Sequence, residues 1–167
     1  MLLGFGGVSA VGPSGPIDLG GSKPRSLLAL LMVQPGAVVA FDRLVDRMWM
    51  GEPPPKAEVS IRGYVSNLRR ALSAAGFGAS DVISFRDRGY ALDLPPDTID
   101  LHLFASLVDG AAQLVRSSSP PELVRSVLVR ALDLWSGPPL GSIGEELGLV
   151  DVAVGLEERR GQAVELL

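Results

Sequence analysis

The stretch KAEVSIRGYVSNLRRAL, residues 56–72, constrains this chain more than any other. Ile61, Val65, Leu68 and Leu72 recur at helical spacing and form one apolar stripe. Arg62, Ser66, Arg69 and Arg70 fall on the flank and back of the same helix. Such a helix buries its stripe on a small core and turns its guanidiniums toward an anion. The anion that suits it best is the DNA backbone, with base edges of the major groove beyond. Taken alone, the same arginines suit a merely solvated face. The flanking segments decide between the two.

Before this helix, Gly51-Glu52-Pro53-Pro54-Pro55 is a stiff loop. After it, residues 82–94 read VISFRDRGYALDL, in which apolar runs flank an Arg86-Asp87-Arg88-Gly89 tip. That is a hairpin pattern, with Gly89 expected to supply the turn conformation. Upstream, residues 1–22 read as short strands with a turn at Gly12-Pro13-Ser14-Gly15. Residues 26–33 read as an apolar helix, with Ser22 as N-cap and Pro24 tolerated in the first turn. Residues 42–49 read as a second helix with Leu44, Val45, Met48 and Trp49 inward, and Asp42 as its only plausible cap. Residues 37–39 can only be a strand or an extended link. Three short helices closed by an arginine-bearing hairpin make a winged helix-turn-helix, an α+β unit over residues 1–94.

Leu94-Pro95-Pro96-Asp97 is the expected domain boundary. Beyond it, residues 97–167 read as all-α. Asp100 is expected to cap a helix whose apolar positions include Leu103, Phe104, Leu107, Val108, Ala111 and Leu114. Ser117-Ser118-Ser119-Pro120-Pro121 breaks it, and residues 122–135 form an antiparallel partner with Val127, Leu128, Ala131 and Leu132 inward. Gly137-Pro138-Pro139 ends that helix, a Gly-rich linker follows, and a further helix starts near Leu149. The pattern fits one and a half units of a TPR-like α-solenoid. Because the sequence stops inside a helix, either truncation or a partner over the open face is expected.

Net charge of −4 argues against nucleic acid at face value, but the charge is segregated. Residues 1–93 hold 10 Lys and Arg against 8 Asp and Glu, and residues 94–167 hold 5 against 11. Within residues 56–92 the balance is 6 against 3, a modest basic patch. Without cysteine there is no disulfide, thiolate metal site or Cys nucleophile. No apolar run is long enough for a membrane span and no signal peptide is legible, so a cytoplasmic location is the default.

The segments LGGSKPRSLLALLMVQPGAVVAFDRLVDRMW, GYVSNLRRAL and RGYAL resemble the N-terminal domain of SARP/AfsR-type transcriptional activators. Those proteins carry an OmpR-type winged helix followed by a bacterial transcriptional activation domain. IDLHLFASLV and ALDLWSGPPL look like the opening helices of that second domain. The resemblance is collinear over almost the whole chain. It implies an activator that binds direct repeats in double-stranded DNA near promoters, often as a homodimer, and contacts RNA polymerase. By position, Ser60, Arg62, Tyr64, Ser66, Asn67 and Arg69 lie where helix contacts to DNA fall, and Arg86 lies at the wing contact. Arg70 and Arg88 join them as basic neighbours. Gly51, Glu52, Pro53, Pro54 and Pro55 correspond to the loop implicated in polymerase contact.

The chain departs from the family pattern at Asn67, where many relatives are basic, and at Ala40, where relatives place a Ser or Thr cap. Only about the first half of the activation domain is covered. No receiver domain precedes the winged helix, so phosphorelay control in cis is not expected. The alternative is a protein-interaction module whose winged helix no longer binds DNA. Enzyme chemistry has no support: there is no GxxxxGK[ST] loop, no Cys and no His-based triad. His102, the single histidine, is expected at the surface with no metal or other cofactor. Trp49 and Trp135 are expected in the core, Glu157-Glu158-Arg159-Arg160 on a solvated face, and Tyr64 half in the core with a polar handle outward.

Overall fold

The computed structural model describes residues 1–78 and 81–167. Three short strands open the chain, β1 (Leu2–Leu3), β2 (Ser9–Gly12) and β3 (Gly15–Pro16), in one antiparallel sheet of order β1-β2-β3. Then come α1 (Ser22–Met32), β4 (Val39–Ala40), α2 (Phe41–Trp49) and α3 (Ala57–Ala74). The hairpin β5 (Ile83–Arg86) and β6 (Gly89–Leu92) adds to β4 in a second antiparallel sheet of order β4-β6-β5. Four helices complete the described chain: α4 (Asp100–Arg116), α5 (Pro121–Asp133), α6 (Gly141–Glu146) and α7 (Val150–Leu166). A winged helix-turn-helix of α+β type is thus followed by an all-α, repeat-like half. No described helix is long and apolar enough to cross a membrane.

Helix α1 is the hub of the first half. Leu27, Leu28, Ala29, Leu31 and Met32 are completely buried, so α1 is apolar nearly all round and must be enclosed. It meets α2, α3, β6 and α6. It begins one residue earlier than a Ser22 cap would place it, because Ser22 is the first helical residue; Gly21 occupies the cap position and no side chain caps it. Neither does Asp42 cap α2. Ala40 holds that position, and the Phe41 N–H is instead satisfied by the Arg88 carbonyl at 2.9 Å. The hairpin turn therefore satisfies the first N–H of the second helix, at whose cap position Ala40 offers no side-chain acceptor.

In the second half α4 packs on α5 and α7. Phe104, Val108 and Ala111 are buried as expected, together with Leu101 and Val124, which the spacing argument left out. Asp100 does not cap its own helix through its side chain. Its carboxylate accepts the N–H groups of Gly4 at 2.7 Å and Phe5 at 3.2 Å, and it is 1% exposed. The chain start is thereby fastened to α4. The Gly6 N–H donates to the Pro138 carbonyl at 2.9 Å, and the Leu140 N–H to the Gly4 carbonyl at 2.6 Å. Close approach here requires glycine: a Cβ on Gly137 would stand 2.7 Å from the Gly6 Cα. Phe5 then packs edge-to-face on Phe104 and tilted on Trp135, with centroids 5.5 and 4.4 Å away.

Several side chains lie elsewhere than expected. His102 is half-buried, its Nε2 donating to the Met32 carbonyl at 2.8 Å, so it joins α4 to the end of α1 instead of facing solvent. Trp49 and Trp135 are half-buried at the core's edge, each with a cation over its ring: Lys23 Nζ at 5.2 Å and the Arg160 guanidinium at 5.0 Å. Arg159 reaches Asp109 at 3.6 Å, so the arginines of the expected solvated stretch in fact tie α7 to its neighbours, while Glu157 and Glu158 are exposed. Helix α6 occupies the expected Gly-rich linker. Arg47 of α2 donates to the carbonyls of Leu147 at 2.9 Å and Gly148 at 3.1 Å just past its end.

Replacing Asp100 by Ala strands two buried N–H groups and should cost about 1–3 kcal/mol of stability, read by denaturant unfolding. Burial raises the Asp100 carboxyl above its ordinary value, against the opposing pull of the Gly4 and Phe5 N–H bonds. An acid raised in the folded chain favours folding most when it is protonated. The stability of wild type relative to Asp100→Asn should therefore decline as pH rises above the unfolded carboxylate value. A flat difference across that range would contradict this placement.

Candidate nucleic-acid interface

Helix α3 carries the site. Ile61, Leu68 and Leu72 are fully buried and Val65 nearly so, which fixes the rotation of the helix about its axis. Glu58, Val59, Arg62, Gly63, Ser66, Asn67 and Arg70 are left exposed. Ser60, Tyr64 and Arg69 are half-buried on the flanks, and Tyr64 packs against the core as expected. Arg62 pairs with Glu58 across 2.6 Å, and Arg70 makes only a long 3.4 Å contact with the Asn67 side-chain oxygen. Arg69 points along the helix flank, its Nε donating to the Ile83 carbonyl at 2.7 Å. That bond ties α3 to β5. Gly63 has nothing within 4 Å of a notional Cβ, so no internal contact requires glycine there.

The hairpin turn is built differently from expectation. Asp87 and Arg88 are the residues with positive φ, 50° and 57°, as a two-residue type I′ turn demands. Gly89 is the first residue of β6, paired with Ala40 on one side and Arg86 on the other. Its role is close approach: an added Cβ would press into the Val39 carbonyl group, whose carbon would be 2.8 Å away. Arg88 is exposed at the tip. Arg86 is engaged within the fold. Its guanidinium donates to Asp93 at 2.8 and 3.1 Å, to the Gly36 carbonyl at 2.9 Å and to the Ser84 hydroxyl. The Arg86 hydrogen bond, with help from Ser84 and the guanidinium charge, holds the Asp93 carboxyl below its ordinary value.

Between α3, the hairpin and the start of α2 runs an open groove of about 840 Å³. Arg62, Arg69 and Arg88 line it, and so do Asp42, Glu58 and Asp87. Ser66, Asn67 and Arg70 continue the exposed face of α3 beyond it. The structure thus brings Arg62, Arg69 and Arg88 to one groove, whereas the guanidinium of Arg86, though its side chain is 40% exposed, is held by Asp93, Gly36 and Ser84. Glu58, Val59 and Phe85 belong to the same surface and were not singled out by sequence reasoning. Val59 is 67% exposed and Phe85 60% exposed, with Phe85 resting on Tyr90. The signal for Glu58 was present in its position four residues before Arg62. Val59 was marked by falling opposite the α3 stripe, whereas for Phe85 no sequence signal separates it from core residues.

Gly51, Glu52, Pro53, Pro54 and Pro55 are all exposed. They leave α2 through a left-handed turn at Met50 and Gly51, with φ of 52° and 80°. Since the hairpin turn caps the N-terminus of α2, this loop lies at the other end of that helix, roughly 13 Å away along its axis. Met50 beside it is 81% exposed, an apolar side chain the sequence reading passed over.

A trihelical core with a β-hairpin wing, an outward arginine-bearing third helix and an appended helical half defines a winged helix-turn-helix protein of the regulatory type. Comparison with known proteins agrees. Residues 16–92 match the family described as "Transcriptional regulatory protein, C terminal", and residues 99–167 match "Bacterial transcriptional activator domain". EmbR of Mycobacterium tuberculosis is 33% identical over 128 residues, spanning 77% of this chain and 33% of that protein. DnrI of Streptomyces peucetius is 31% identical over 144 residues, 83% of this chain and 52% of its own. RedD of Streptomyces coelicolor is 30% identical over 175 residues, 98% and 49% respectively. The solved structure of M. tuberculosis EmbR in complex with a low-affinity phosphopeptide superposes with a TM-score of 0.87 at 29% identity, covering 97% of this chain and 42% of that one. The chain belongs to the SARP/AfsR-type family of transcriptional regulators. It spans about a third to a half of the length of these relatives.

The two classes of arginine should separate by stability. Arg69→Ala should cost about 1 kcal/mol by losing its bond to Ile83, and Arg86→Ala should destabilise by freeing Asp93, whereas Arg62→Ala should lie within about 0.5 kcal/mol of wild type. The stability from Asp93 is present above its unfolded value and is lost as pH falls through its lowered folded value. In Arg86→Ala that acid-side loss should shrink. Equal unfolding midpoints for all three variants would refute the division.

Proposed function

We propose that the chain is a sequence-specific DNA-binding transcriptional regulator acting as an activator. The observation that carries this reading is the outward face of α3, where Arg62, Ser66, Asn67 and Arg70 are exposed beside the exposed Arg88 of the wing. In this reading α3 enters the major groove and the wing tip meets the neighbouring backbone. Arg62 and Arg70 are the principal cations, Ser60, Ser66, Asn67 and the Tyr64 edge supply polar contacts, and Arg88 contacts phosphate. Arg69 and Arg86 hold the surface in shape from within and contact DNA only with what their internal bonds leave free.

We assign residues 1–94 to DNA binding and residues 97–167 to regulation, with the first strand docked on the second unit. The loop from Gly51 to Pro55, exposed at the far end of α2 from the wing, is the proposed contact for RNA polymerase. Direct repeats as operator, a homodimer on DNA and a cytoplasmic site of action complete the reading.

Binding sequences selected from a random duplex pool supply the probe. The double variant Arg62→Ala/Arg70→Ala should bind it weaker by about 1–3 kcal/mol for each arginine that grips a base with two hydrogen bonds. For each phosphate that the variant no longer holds, the slope of log affinity against log salt should fall by about 1. Binding equal to wild type would contradict the reading. Absence of any salt-dependent affinity in wild type would favour the protein-interaction module instead.

A further inference from the structure

Glu58 sits in the first turn of α3, one turn before Arg62, and its Oε1 accepts from Arg62 Nη2 at 2.6 Å. Both side chains are well exposed, 61% and 69%. An exposed pair of this kind does little for helix stability. A carboxylate on a face turned toward phosphates is repelled by them, so affinity for DNA does not account for it. Across the groove the carboxylates of Asp42, Glu58 and Asp87 offset the guanidiniums of Arg62, Arg69 and Arg88. Arg69 is further occupied by Ile83. This surface is poor at attracting DNA through charge alone, and Glu58 is the carboxylate that directly occupies the exposed arginine of α3 within it, Arg62.

We propose that Glu58 is a specificity-determining residue, which withholds Arg62 from phosphates and accepts a hydrogen bond from a cytosine N4 amine near the guanine that Arg62 reads. The inference rests on the DNA-binding reading above. Four residues of helix rise about 6 Å, close to two base-pair steps of about 3.4 Å. The two side chains therefore reach neighbouring or next-neighbouring base pairs. Guanine offers Arg62 two acceptors, O6 and N7, which replace its bond to Glu58. The released carboxylate then needs a donor. Cytosine presents N4–H₂ in the major groove with no acceptor of its own beside it, whereas adenine pairs its donor with the N7 acceptor and thymine presents O4. A non-specific site, offering mainly phosphates, separates Arg62 from Glu58 and leaves the carboxylate facing negative charge.

The test compares wild type, Glu58→Ala and Glu58→Gln by selection from a random duplex pool and by affinity for the selected and random duplexes over a salt series. Thermal unfolding of each protein verifies that the variants fold. Wild type should select a cytosine within two base steps of a guanine. Both variants should keep the guanine preference and weaken the cytosine preference by about tenfold or more. They should also bind random duplex more tightly, with a salt slope steeper by about 0.9 as Arg62 gains a phosphate. Folded variants that retain the cytosine preference, or that change affinity for all sequences alike, would overturn the role of Glu58 and leave DNA binding standing. A wild-type protein that retains no duplex would overturn both.

Discussion

The burial of Ile61, Val65, Leu68 and Leu72 against α1 is the interaction on which the rest of the molecule depends. Each such side chain contributes about 1.5–3 kcal/mol when fully buried, so the four together far outweigh any surface interaction of α3. Turning the helix by a single residue, about 100°, would bring part of this stripe into water. The core therefore decides which residues look outward. Arg62, Ser66 and Arg70 are exposed because they occupy the remaining arc, and their spacing along the outer face follows from the same periodicity.

What surrounds α3 holds that arc in register with the wing. Arg69 fastens the helix to the Ile83 carbonyl. Arg86 closes the hairpin's base by joining Asp93 and Gly36, and the turn caps α2 through the Arg88 carbonyl. Through these links α3 is joined to β5, α2 to the hairpin turn, and the hairpin to Gly36. A second set ties this unit to the helical half: Asp100 to Gly4 and Phe5, His102 to Met32, and Arg47 to the end of α6. Each is a hydrogen bond from one half to an otherwise unpaired backbone group of the other, which makes the junction specific as well as apolar.

Much of this was legible in the sequence. The α3 stripe, the hairpin, α1 and the α4–α5 pair all follow from apolar spacing and from breakers such as Pro53, Pro54 and Pro55 or the serine run before Pro120. What stayed hidden has physical causes. Asp100 stands where a helix cap should, and nothing local announces that its partners are Gly4 and Phe5, some 96 residues away. In RDRG the glycine is the obvious turn residue, yet the tight approach of β4 claims it and leaves Asp87 and Arg88 to adopt positive φ. Helix α6 is short and glycine-rich, so its periodicity cannot be read. The direction of an arginine is likewise invisible: Arg69 and Arg70 are adjacent, and only the fold turns one inward and the other out.

Whether the outward face of α3 lies against duplex DNA is tested most directly by a photo-crosslinking side chain placed at Ser66. A second protein carries the same group at Arg125 on α5, which is also exposed. With a selected duplex and ultraviolet irradiation, the protein labelled at position 66 should become covalently attached to DNA and the one labelled at position 125 should not. Attachment at position 125 with none at position 66 would contradict the account.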